Sequence, residues 1–333
     1  MMMQESQAVL FRIGMMFFVM LAGWWVARRR WVGPEVSKAL GTLVVQVTFP
    51  ALVFTQMLVC VTPAVIRDCW WIPVAAILSL GVAALIGKAM APCFRIPAAT
   101  AGTFVFLVAM PNWVFLPLPI AEALYGPNGV RFVLLFNVGA QLFLWTMGPD
   151  MLGAHGRTGR VKSLLGNAGL LATVAGIGCA LAFPGACQLG NGHATGVLAA
   201  GSDVIVAALR MLGGLTIPLA LVVSGSQIAH QRTFEPGDGL PAIGVVVSRL
   251  LLAPAVCLLL LMVLSMAIGW HMTDGDYMTF VVIVAMPVAV SCTMFVERYD
   301  GDRLLTSKGV LYSTVGSLAT VPLFVLFARW LST

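Results

Sequence analysis

The chain has 333 residues, 60% hydrophobic and only 10% charged, with a mean hydropathy of +0.97. A water-soluble domain coats itself with charged side chains, typically about a quarter of its residues. This composition excludes such a surface and makes lipid the solvent. The net charge of +6 is spread over short segments between apolar runs. It therefore forms no basic stripe with aromatic platforms, and nucleic acid is not an expected partner.

The first apolar run reaches Val26 and is followed by Arg28, Arg29 and Arg30. Charge after the apolar core is a stop-transfer pattern, whereas a signal peptide carries its charge before the core. A spanning helix needs about 20 apolar residues. Ten segments supply this: 8–27, 39–59, 70–90, 98–123, 129–149, 164–184, 204–228, 241–268, 277–297 and 307–330. Runs such as Leu251 to Leu261 do not alternate, so helices rather than barrel strands are expected. Trp24-Trp25 and Trp70-Trp71 fit interfacial anchors.

Basic residues favour one side. Arg28, Arg29, Arg30, Lys38, Lys88, Arg95, Arg157, Arg160, Lys162, Arg232, Arg298, Arg303 and Lys308 fall on odd-numbered loops, against Arg67, Arg131 and Arg329 opposite, where Arg12 and Arg210 are further candidates. The positive-inside rule then puts both termini outside and the central loop inside. The expected location is the plasma membrane, or the inner membrane of a bacterium.

The two halves echo each other. Ala109-Met110-Pro111 in span four matches Ala285-Met286-Pro287 in span nine. Tyr125-Gly126-Pro127 is echoed by Tyr299-Asp300-Gly301, Asn137-Val138-Gly139 by Thr314-Val315-Gly316, and Pro50 by Pro218. Five spans per half is an odd number, so the second half enters from the opposite face. The expected fold is an all-α membrane protein of ten transmembrane helices in two inverted five-helix repeats, 1–149 and 164–333. A cytoplasmic linker, 150–163, joins them. Inverted repeats are the architecture of alternating access.

Span four carries Pro111, Pro117 and Pro119 within nine residues, which no regular helix accommodates. Span nine carries Pro287 alone, and a milder break is expected there. A broken span leaves carbonyls and N–H groups that protein, water or substrate must satisfy. The half-helix N-terminus favours an anion. Asn112 follows the first break, where its amide either donates to a carboxylate or caps the freed backbone. Trp113 stands next to it. Asn137 and Gln141, one turn apart in span five, either line the same cavity or hydrogen-bond within the bundle. Ser291 and Thr293, after Pro287, are either substrate contacts or helix–helix contacts. Arg249 lies inside span eight, where a charge must be paired, wet or snorkelling.

Seven cysteines form no Cys-x-x-Cys pair, and the four histidines, at 155, 193, 230 and 271, are scattered. No metal or cofactor is expected. No acid pair or Ser-His arrangement appears at membrane depth, so an enzyme is not expected. No wide polar stripe suggests a channel.

These residues resemble the auxin efflux carrier family, whose bacterial branch includes malonate and malate transporters. The resemblance rests on Gly33-Pro34-Glu35-Val36-Ser37-Lys38 leading to Phe49-Pro50-Ala51, and on Pro111-Asn112-Trp113 through Pro117-Leu118-Pro119. It continues with Leu124-Tyr125-Gly126, Met286-Pro287-Val288, Tyr299-Asp300-Gly301-Asp302 and Tyr312-Ser313-Thr314. It implies ten helices with broken helices four and nine crossing, and a secondary transporter of a small organic anion. Substrates of that class are mono- or dicarboxylates of the malonate, malate or auxin kind, moved by efflux or proton coupling. The candidate substrate-binding set, read from the broken spans and the polar positions near them, is Pro111, Asn112, Trp113, Asn137, Gln141, Pro287, Ser291 and Thr293. Plant members form dimers, so a homodimer is expected, with membrane lipid around it. The sequence departs from the family at Trp113, where small residues are common, and it lacks a long central loop. The alternative class is a receptor or sensor that binds a small ligand without moving it.

Overall fold

The computed structural model describes residues 2–153, 166–183, 185, 189–190, 197–230, 239–268 and 272–332. Central-loop residues His155, Arg157, Arg160 and Lys162 lie outside the described residues, as do Cys187, His193, Arg232 and His271.

The chain is an all-α, multi-pass membrane protein. Its helices are α1 (Met2–Arg28), α2 (Pro34–Cys60), α3 (Pro63–Met90), α4 (Ala98–Ala109) and α5 (Pro117–Met151). They continue with α6 (Ala168–Ala182), α7 (Gly201–His230), α8 (Gly239–Ala267), α9 (Asp274–Val284), α10 (Cys292–Arg298) and α11 (Arg303–Ser332). Six of them, α2, α3, α5, α7, α8 and α11, are long and apolar enough to cross a membrane. Exposed rows such as Leu259, Val263 and Met266 on α8, or Leu323, Phe327 and Trp330 on α11, suit lipid as solvent.

Local sequence sets the helix ends. Proline opens α2, α3 and α5, where the first turn needs no N–H from it. Side chains cap the starts of α3, α6, α9 and α11. Thr62 accepts from Val65 N, Asn167 from Leu170 N, Thr273 from Asp276 N and Asp302 from Leu305 N. At Gly126 the backbone reaches φ 55°, ψ −139°, a conformation open to glycine, and the long α5 is interrupted there.

α2 and α8 share one device. Each contains a five-residue π-helical turn, Val44–Thr48 and Ser248–Leu252, closed by Phe49 N donating to Val44 O and Ala253 N to Ser248 O. In both, proline stands two residues beyond the turn, at Pro50 and Pro254. A proline has no N–H and crowds the preceding turn, and the wider π turn relieves that conflict. In α8 the π turn contains Arg249.

The chain divides into two units, each drawing on both sequence halves. One consists of Met16–Ile72 and Gly159–His230. There α1 and α7 meet at reciprocal glycines, Gly23 against the Val222 carbonyl and Gly225 against the Met20 carbonyl, with no room for a Cβ at either. The other unit consists of Met1–Met15, Pro73–Thr158 and Gln231–Thr333. Its interior is packed by Phe104, Phe106, Leu107, Phe132, Phe136, Val281 and Ile283, all buried. All eight expected site residues belong to this second unit.

Candidate functional site

α4 stops at Ala109 and α5 begins at Pro117, while α9 stops at Val284 and α10 begins at Cys292. Seven residues in each case, 110–116 and 285–291, are thus outside α-helix. The expectation of a milder break in span nine is corrected by this equality. Of the three span-four prolines only Pro111 sits in the gap. Pro117 and Pro119 lie in the first turn of α5, where they fit a regular helix.

The two gaps run antiparallel and pair. Asn112 N donates to Pro287 O at 2.8 Å, and Ala289 N donates to Met110 O at 3.0 Å. Pro111 thereby faces Val288 in a single antiparallel bridge. The two Ala-Met-Pro sequences meet at this crossing.

Pairing the gaps diverts N–H groups that the helices would have used. In a continuous helix Asn112 N would serve Val108 O, but it goes to Pro287 O. Likewise Val288 N would serve Val284 O, but it donates to Ser313 Oγ on α11 at 3.1 Å. Pro287 has no N–H for Ile283 O, which takes Met286 N at 3.2 Å instead. Val108 O and Val284 O are left in the interior without helical partners. Arg249 takes both. Its Nη1 donates to Val108 O at 3.0 Å and its Nη2 donates to Val284 O.

Arg249 is 2% exposed, which replaces the snorkelling option with full burial. Its charge faces the C-terminal ends of α4 and α9, where helix dipoles place partial negative charge. Among the described residues no carboxylate forms an ion pair with it, and its Nε has no hydrogen-bond partner. Among the described residues, this buried cation is balanced by backbone dipoles.

Asn112 is buried, and its Oδ1 accepts from Phe115 N at 3.1 Å, capping the approach to α5. The capping role is therefore realised for the oxygen, while Nδ2 makes no hydrogen bond to a described residue. Trp113 is buried beside it and donates Nε1–H to Asn137 Oδ1 at 3.0 Å. Gln141 Nε2 approaches the same oxygen at 3.5 Å, and Trp145 Nε1 donates to Gln141 Oε1 at 3.1 Å. Trp145 packs edge-on against Phe295 of α10 with centroids 4.9 Å apart, and the Arg298 guanidinium lies over its ring at 6.0 Å. Trp113, Asn137 and Gln141 thus form one hydrogen-bonded line from the crossing along α5.

The remaining expected residues differ in placement. Pro111 and Pro287 are buried in the crossing itself. Ser291 lies at the end of the second gap, half-buried, with its hydroxyl bonded to no described residue. Thr293 donates to the Val290 carbonyl at 2.8 Å and is turned to its own backbone. Three contributors were not in the expected set: Arg249, Ser313 and Trp145. Arg249 was visible as a charge within a span. Ser313 was visible only as part of the Tyr312-Ser313-Thr314 signature, and Trp145 carried no signal distinguishing it from ordinary helix residues.

Among the described residues, no three His, Cys, Asp or Glu side chains gather as a metal site. No curated protein matches the chain at a significant level. The family model described as "Membrane transport protein" (Mem_trans) matches residues 9–163 and 182–325, which contain both gaps, Arg249 and the Trp113–Trp145 line. With most of its length matched in this way, the chain belongs to the Mem_trans family of membrane transport proteins.

Proposed function

We propose that this protein is a secondary transporter that carries a small organic anion by alternating access, with the substrate bound at the crossing of the two broken spans. The observation that carries the reading is Arg249. A buried cation with no carboxylate partner among the described residues gives the crossing a positive potential, and an anion is the ligand that neutralises it. The Nδ2 of Asn112, with no hydrogen bond to a described residue, supplies a donor for a carboxylate in the same region. The substrate class is a mono- or dicarboxylate of the malonate, malate or auxin kind, exported or coupled to protons.

The same reading takes the chain as ten spans in two inverted five-helix repeats, 1–149 and 164–333, with both termini outside the plasma membrane. It is supported by the six long apolar helices, the apolar segments Gly14–Arg28, Ala98–Ala109 and Ala168–Ala182, and the broken α9–α10 pair. The meeting of the two Ala-Met-Pro sequences supports the repeat. A homodimer is the proposed assembly, by resemblance to the family. Uptake of labelled mono- and dicarboxylates into proteoliposomes tests the function. Saturable flux for at least one anion is expected. Folded protein that moves none of them overturns the reading, and binding without flux identifies a receptor instead.

A further inference from the structure

The orientation of Asn137 is fixed by chemistry rather than by choice of placement. An indole N–H only donates. Trp145 Nε1 at 3.1 Å therefore requires the oxygen of Gln141 to face it, which turns the Gln141 Nε2 toward Asn137. Trp113 Nε1 at 3.0 Å requires the oxygen of Asn137 to face it. Two donor-only rings at the ends set both amides head to tail. What remains is Asn137 Nδ2, a pair of N–H donors without a hydrogen-bond partner among the described residues, on a side chain that is 0% exposed. Buried polar groups are nearly always paired, so a donor held in this way points to an acceptor that the described residues do not provide.

The position of Trp113 adds a size limit. Its ring is buried at the residue next to Asn112, and its N–H is tied to Asn137, so it cannot swing aside without breaking that bond. A buried aromatic side chain of this kind occupies roughly 150–250 Å² of contact surface. The same space is closed to a ring on the ligand.

We propose that Trp113 and Asn137 set the selectivity of the site. Within the class proposed above, the indole is a fixed wall that admits short aliphatic carboxylates and excludes ring-bearing ones, the auxin kind among them, and Asn137 Nδ2 donates to an oxygen of the bound carboxylate. This rests on the transport reading above. Gln141 and Trp145 are positioning residues, which act by holding the Asn137 amide in one orientation.

The test is uptake by proteoliposomes of the full chain, using straight-chain dicarboxylates from malonate to adipate and the ring-bearing phenylacetate. Wild type takes up the shorter dicarboxylates and not phenylacetate. Trp113→Gly gains phenylacetate uptake by tenfold or more. Asn137→Asp keeps an oxygen for the Trp113 N–H but loses the donors, and dicarboxylate uptake falls tenfold or more in protein that remains monodisperse. Trp113→Phe drops the N–H that ties the ring to Asn137, so it is expected to gain phenylacetate uptake, less than Trp113→Gly does, and it keeps the proposal testable if Trp113→Gly does not fold. Wild-type uptake of phenylacetate at the dicarboxylate rate, or an unchanged profile in folded Trp113→Gly and Asn137→Asp, overturns this proposal alone. Wild type that takes up no anion overturns the transport reading and this proposal with it.

Discussion

Arg249 donates to the carbonyl of Val108 at 3.0 Å, and Val108 needs that donor because its helical partner, the N–H of Asn112, is bound to Pro287 on the other broken span. The same guanidinium serves Val284, whose helical partner is bound to Ser313. One side chain thus serves a freed carbonyl at the end of each half-helix. An arginine suits this better than a lysine, because its planar fork presents separate donors in fixed directions.

Replacing Arg249 separates charge from fold. Arg249→Met strands two buried carbonyls, at about 1–3 kcal/mol each. It also removes a charge whose burial at membrane depth costs about 2.5–3.5 kcal/mol on insertion scales. These terms nearly cancel, so thermal unfolding in detergent is expected to shift little. Anion uptake is expected to fall tenfold or more because the counter-charge is gone. Arg249→Lys retains the charge and is expected to recover part of the uptake. Full uptake by Arg249→Met would remove the cation from the binding argument.

Asn112 has two separable roles. Asn112→Asp keeps an oxygen for the Phe115 N–H and replaces the amide donors with an acid, so it is expected to unfold near the wild-type temperature and to bind anion poorly. Losing a donor to a buried partner costs about 1–3 kcal/mol, roughly 5- to 150-fold in affinity. Asn112→Ala loses the cap as well, at about 1 kcal/mol of stability. Affinity measured on monodisperse protein, beside a melting curve, tells the roles apart. Wild-type affinity in both variants would leave Asn112 as a cap only.

Ser313 is expected to matter to folding more than to binding. Ser313→Ala leaves the Val288 N–H buried without an acceptor, a loss of about 1–3 kcal/mol, whereas Ser313→Thr keeps the hydroxyl. The expected order of unfolding temperatures is wild type, Thr variant, Ala variant, with anion affinity of the folded fractions within a few-fold. Equal unfolding temperatures for all three would mean that another acceptor takes over the Val288 N–H.

The charge asymmetry of the loops predicts sidedness. In a background without other reactive cysteines, Arg157→Cys is expected to label only from the inside and Asp274→Cys only from the outside. Labelling of both from the same side breaks the odd-span repeat.

Composition and apolar runs determined the solvent and the all-helical class, because only a helix or closed barrel satisfies its backbone in lipid and these runs do not alternate. Pro111 marked a break in span four, since a missing N–H is a local property of the residue. The equal break in span nine was not legible in its single proline. It is held open by partners from elsewhere: Asn112 on Pro287, Met110 on Ala289 and Ser313 on Val288. The role of Arg249 and the direction of the Asn137 amide were equally hidden. Sequence shows which backbone and side-chain groups need a partner. Only the crossing of the helices decides which distant group meets the need, because a hydrogen bond forms at about 3 Å and residues 141 apart, such as Val108 and Arg249, come that close only in the folded chain.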